Sequence, residues 1–144
     1  MIYGSIYLIV RDFDRSLSFY KKILDTEASA VCGRRFAVYQ VSGLTLCLMN
    51  GYHDKENPDQ VTAKGEYSET YDNLSKIADA ANTGKVFLNL VTGDLRAEHE
   101  RIKALNIADQ LTEIRYIEVF SPYWYFNFLD PDGNPIEITG NYAE

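Results

Sequence analysis

The chain repeats its own plan. Ile6 and Leu8 recur as Leu88 and Leu90, Asp12 and Phe13 as Asp94 and Leu95, and Tyr20 as Ile102, all at one constant offset. Ile6, Leu8 and Val10 alternate with Ser5, Tyr7 and Ile9. That period of two marks a half-buried strand. Asp12 or Asp14 can then cap a helix, because a carboxylate oxygen accepts the free amides of a first turn. Phe13, Leu17, Tyr20 and Leu24 follow at helical spacing. Strands are expected from Arg35 to Val41 and from Leu44 to Met49, joined at Ser42-Gly43.

The second copy runs the same way. Phe87 to Thr92 is strand-like, Asp94 can cap a helix, and Leu95, His99, Ile102 and Leu105 form its apolar face. Strands follow near Thr112 to Val119, Tyr123 to Leu129 and Pro135 to Thr139. Asp130-Pro-Asp-Gly supplies the turn between the last two. The expected organisation is one domain over residues 1–144, with module one at 1–50, a linker at 51–85 and module two at 86–144. The linker is polar and irregular, with a short helix expected from Asn73 to Ala81.

Composition excludes several classes. A chain of 144 residues with 46% apolar residues can bury one core. A net charge of −7 argues against nucleic acid, whose binding needs a basic patch. No run is long and apolar enough to span a bilayer, and the N-terminus lacks a signal-peptide pattern. Cys32 and Cys47 have no metal-type spacing, so reduced thiols in a cytoplasmic protein are expected.

The doubled plan, the opening Val-Arg-Asp-Phe-Asp-Arg-Ser-Leu-Ser-Phe-Tyr and the closing Asp-Pro-Asp-Gly-Asn-Pro-Ile-Glu-Ile resemble the vicinal oxygen chelate superfamily. That group includes glyoxalase I, bleomycin-resistance proteins, fosfomycin-resistance enzymes and extradiol dioxygenases. The resemblance implies an α+β fold: two βαβββ modules, an open cup-shaped mixed sheet, and helices on the outer face. It also implies a homodimer, with the cup formed between modules of one chain or of two. Metal-dependent members hold a divalent ion with four inward side chains, two from each module.

Carried over by position, those four places are Ser5, Cys47, Phe87 and Glu137, with Leu46 as the alternative to Cys47. A transition metal needs several N, O or S donors. Phe87 cannot ligate, so the resemblance without its ligands points to a site that works without metal. Strand parity adds neighbours: Tyr7 and Ile9 beside Ser5, Asn89 and Val91 beside Phe87, Thr139 beside Glu137. Phe126 and Phe128 face the helix, which turns Tyr123, Tyr125 and Asn127 toward the cup, while Thr45 and Met49 accompany Cys47. Such a lining is aromatic and apolar with sparse polar groups, the profile of a small-molecule pocket. Glu137 either pairs with Arg34, Arg35 or Arg115, or reaches solvent at the cup mouth, or accepts from a cationic or hydroxyl-bearing ligand, or acts as a general base. Trp124 either stacks on a flat ligand or packs between sheet and helix.

Three functions stay open. One is metal-free binding of a small organic molecule, with Ser5, Tyr7, Cys47, Phe87, Asn89, Tyr125, Asn127 and Glu137 as the ligand-binding set. A second is a glyoxalase-like lyase or isomerase, or a dioxygenase, with Glu137 as metal ligand or catalytic base. The third is a structural or regulatory module whose cup is plugged by its own side chains.

Overall fold

A computed structural model describes residues 4–118 and 121–143. The chain divides into two compact units, one ending at Ala81 and the other starting at Asn82. Each carries a four-stranded mixed sheet of the βαβββ type.

The first unit contains β1 (Ile6–Val10), α1 (Phe13–Leu24), β2 (Ala30–Cys32), β3 (Phe36–Val41) and β4 (Leu44–Asn50), in sheet order β1-β4-β3-β2. β1 runs parallel to β4 and the other pairs are antiparallel. Asp12 is the cap: its Oδ1 accepts from the Arg15 amide at 3.0 Å. Such a cap stabilises a helix by about 1 kcal/mol. The helix ends at Asp25, which takes the left-handed conformation. Its buried stripe is Phe13, Ser16, Phe19, Tyr20 and Ile23. Leu17 and Leu24, expected in that stripe, are half-buried, because the helix is turned slightly from the sequence reading. Leu17 contributes its carbonyl, which accepts from the buried Tyr39 hydroxyl at 2.9 Å. Beneath the helix lie Tyr39, Leu46 and Leu48, all essentially inaccessible. Ser42 and Gly43 both adopt positive φ, as a two-residue hairpin between twisted strands requires.

β2 had no signal beyond the resemblance. It is three residues long, exposed throughout, and paired on one side only, so no alternation could develop. The segment read as a linker is in part built into this unit. α2 (His53–Glu56), a 3₁₀ turn (Pro58–Gln60) and α3 (Leu74–Asp79) follow β4. α3 comes close because residue 51 is glycine: a Cβ there would stand 2.5 Å from that of Ala78. Asn73 caps α3 through its side chain, within the helix expected from Asn73 to Ala81.

The second unit contains β5 (Leu88–Thr92), α4 (Leu95–Leu105), β6 (Arg115–Glu118), β7 (Pro122–Leu129) and β8 (Pro135–Gly140), in the order β5-β8-β7-β6. Asp94 caps α4 through a 3.0 Å bond from the Ala97 amide, and Leu95, His99 and Ile102 are buried as expected. β6 is shorter than its expected span from Thr112, and Val119 falls outside the described residues. The Thr112 carbonyl meets His99 Nε2 at 2.9 Å, while the Thr112 amide and hydroxyl bond Asn127 of β7. His99 also lies edge-on to Phe126 at 4.9 Å. The β7–β8 turn closes on Asp130, whose Oδ1 accepts from the amides of Asp132 and Asn134. Gly133 supplies the positive φ that the turn needs. No helix among the described residues is long and apolar enough to cross a membrane.

Two substitutions test this packing. A Cβ on Gly140 would lie 2.2 Å from the Thr92 carbonyl oxygen, whereas one on Gly93 meets nothing within 4 Å. Gly140→Ala should lose about 1–3 kcal/mol in urea unfolding, and Gly93→Ala about 0.5 kcal/mol or less. Tyr39 supplies a pH test. Burial, reinforced by the charge of Glu27, raises its pKa from 10.0 to about 12. The folded state therefore holds this proton more tightly than the unfolded one. Stability from this group is full below pH 10.0 and is lost as pH rises toward about 12. Unfolding midpoints should fall over that window in the wild type and fall less in Tyr39→Phe.

Candidate functional site

The site is built on the face of the second sheet that α4 does not cover. Along β7, Phe126 and Phe128 are buried, 0% and 1% exposed. Alternation therefore turns Tyr123, Tyr125 and Asn127 to the opposite face. Register does the rest. Asn127 pairs with Glu137, Glu137 with Asn89, and Arg115 with Tyr125. Side chains paired across neighbouring strands share a face and touch.

These residues surround an open hollow of about 620 Å³, lined by Phe87, Arg115, Ile117, Ser121, Tyr123, Tyr125, Asn127 and Glu137. Glu137 Oε1 accepts from the Tyr123 hydroxyl at 2.9 Å and from Asn89 Nδ2 at 2.9 Å. Asn89 Nδ2 also lies 3.1 Å from the Tyr123 oxygen, closing a triangle. Among the described residues Oε2 has one longer contact, from Asn127 Nδ2 at 3.4 Å. The other end of that amide, Asn127 Oδ1, accepts from Arg115 Nη2 at 2.6 Å. The Arg115 guanidinium sits 5.1 Å over the ring of Tyr125, within the range of a cation–π contact.

The salt partners considered for Glu137 are engaged elsewhere. Arg34 pairs with Asp14 at 2.6 Å. Arg35 pairs with Asp54 at 2.8 Å. Burial works against the Asp54 carboxylate, but hydrogen bonds from Arg35 and His53 outweigh it and hold Asp54 below the ordinary carboxylate range. Among the described residues Arg115 bonds the amide beside Glu137 and not the carboxylate itself. Glu137 is thus held by neutral donors.

Of the expected site residues, Phe87, Asn89, Tyr125, Asn127 and Glu137 come together here. Ser5, Tyr7 and Cys47 belong to the first unit. There Tyr7 pairs with Cys47 as Asn89 pairs with Glu137. That register puts Cys47 opposite Tyr7, while Leu46 is in the core. Ser5 precedes β1 and is exposed, Tyr7 is exposed, and the Cys47 thiol is buried. Arg115 was read only as a partner for Glu137, and its place as a second charge in the hollow was missed. Its parity with Tyr125 carries the signal, but only once the register of β6 is known. Trp124 points the other way. Its ring packs on Tyr116 at 4.9 Å and Tyr142 at 4.6 Å, and Arg96 of α4 lies over Tyr142.

A divalent metal, which the resemblance implies, does not suit these side chains. Phe87 has no donor atom, and Glu137 Oε1 is already occupied twice. Among the described residues no three His, Cys, Asp or Glu side chains gather as a metal-binding group.

If this face is a site and not core, its aromatics contribute little to folding. Phe87 is 52% exposed. Phe87→Ala should cost about 1 kcal/mol or less, and Phe126→Ala about 3–5 kcal/mol, compared by urea unfolding. Equal losses would mean that the hollow is structural.

A family model described as the Glyoxalase/Bleomycin resistance protein/Dioxygenase superfamily matches residues 2–138. No curated protein matches the sequence. Among solved structures, a protein of unknown function from Agrobacterium tumefaciens is 22% identical, with TM-score 0.64 over 99% of this chain and 95% of that one. The fosfomycin resistance protein FosX from Listeria monocytogenes is 20% identical, with TM-score 0.61 over 99% and 97%. A bleomycin-binding protein, solved with bleomycin, is 15% identical, with TM-score 0.59 over 99% and 100%. At such identities these structures establish the shared fold.

Proposed function

Because the chain belongs to the Glyoxalase/Bleomycin resistance protein/Dioxygenase superfamily, we propose that it binds a small organic molecule in the hollow of the second unit without a metal ion. One observation carries this reading. Glu137 faces an open, largely apolar hollow, and among the described residues its Oε2 holds only a 3.4 Å contact. That oxygen has capacity for a donor from a ligand, either a cation or a hydroxyl. Apolar walls supply affinity, and the carboxylate supplies orientation. The hollow's volume lies in the range that suits small molecules. The bleomycin complex of the structural neighbour supports binding as a use of this fold.

The same oxygen favours a second reading. A carboxylate held by Asn89 and Tyr123 with one oxygen toward a hollow can act as a general base. A glyoxalase-like lyase or isomerase would use it to move a proton next to a carbonyl.

Two measurements separate these readings. A panel of planar cations and hydroxyl-bearing aromatics should shift the thermal midpoint of the metal-stripped protein. Glu137→Gln, which keeps the shape and removes the charge, should weaken the best binder about tenfold or more. If Glu137→Gln instead keeps binding and abolishes turnover of a carbonyl substrate, the base role stands. Calorimetric titration with Ni²⁺, Zn²⁺, Mn²⁺ and Fe²⁺ should show no stoichiometric binding. Tight binding that disappears in Glu137→Ala would overturn the metal-free reading.

A further inference from the structure

The hollow holds two opposite charges that do not pair. Arg115 and Glu137 both line it, and the side chain of Asn127 stands between them. Its oxygen accepts from the guanidinium at 2.6 Å and its nitrogen donates toward the carboxylate at 3.4 Å. The amide dipole is thus aligned with the two charges and acts as a spacer. From these contacts and the width of an amide, Arg115 Nη2 and Glu137 Oε2 stand at most about 8 Å apart. No carboxylate pairs with Arg115 among the described residues. Its other contact is the face of Tyr125, 5.1 Å away, which leaves guanidinium donors available at the edge of the hollow.

We infer that the ligand is a small zwitterion with an aromatic body, an aromatic α-amino acid or a close analogue, its carboxylate on Arg115 and its ammonium on Glu137. This rests on the binding reading above and names its ligand class. The spacing admits it. Two charge-assisted hydrogen bonds take about 2.8 Å each. A ligand whose charged heads are roughly 3 Å apart, the separation of ammonium and carboxylate across one carbon, is therefore long enough to reach both. A molecule with only one charge covers the hollow while leaving either Arg115 or Glu137 without a ligand partner, which costs affinity. The rings of Phe87, Tyr123 and Tyr125 give the aromatic body a surface to stack on.

Calorimetry with three probes tests this: phenylalanine, phenethylamine, which lacks the carboxylate, and 3-phenylpropionate, which lacks the ammonium. Phenylalanine should bind the wild type about tenfold or more tightly than either single-charge probe. Arg115→Gln should bring phenylalanine down to the level of phenethylamine. Glu137→Gln should bring it down to the level of 3-phenylpropionate. Arg115→Lys should recover part of the loss, and circular dichroism should show both Gln variants folded. Phenethylamine binding as tightly as phenylalanine, dependent on Glu137 and indifferent to Arg115→Gln, overturns the zwitterion and leaves the binding reading standing. Failure of all three probes and of the wider panel overturns both.

Discussion

The structure depends on the parallel pairing of the first and last strands of each module. β1 lies against β4 and β5 against β8, in equivalent registers. Because side chains alternate, this one register decides which residues enter the core and which face away from it. Leu46 and Leu48, and likewise Ile136 and Ile138, are buried. The residue between each pair, Cys47 or Glu137, points to the opposite face. A slip by one residue would put a carboxylate under a helix and an isoleucine in the hollow. Two buried branched residues on either side of Glu137 make such a slip costly.

One register carries two chemistries. In the first unit the positions across from and beside Cys47 are Tyr7 and Val38. In the second the corresponding positions around Glu137 are Asn89 and Asn127. A strand face that is not needed for the core can change its side chains without altering the backbone. Asn89, Asn127 and Tyr123 satisfy one oxygen of Glu137 and touch the other only lightly. The result is a carboxylate that is positioned but not neutralised. Arg115 is positioned the same way, by a ring and an amide. This arrangement adds little to stability, since exposed polar networks on a sheet contribute little to folding.

The sequence was legible where local rules and pattern agree. The caps at Asp12 and Asp94, the turns at Ser42-Gly43 and Asp130 to Gly133, and the buried parity of Phe126 and Phe128 follow from short-range chemistry. Less legible were elements whose reason lies elsewhere in the chain. β2 is an exposed edge with no pattern of its own. α3 depends on the missing side chain at Gly51. β6 begins only at Arg115, and Thr112 before it is held by His99 of α4 and Asn127 of β7.

By itself the sequence determined the doubled strand–helix–strands plan, the core faces of its strands and the place of Glu137 beyond the last turn. Periodicity and turn residues act over a few positions, so one chain segment is enough to read them. Only the tertiary structure decided what Glu137 meets. Asn89, Tyr123, Asn127 and Arg115 reach the hollow from three further strands. Their meeting depends on pairing registers, which are set by the fit of whole strands and helices and by no single segment.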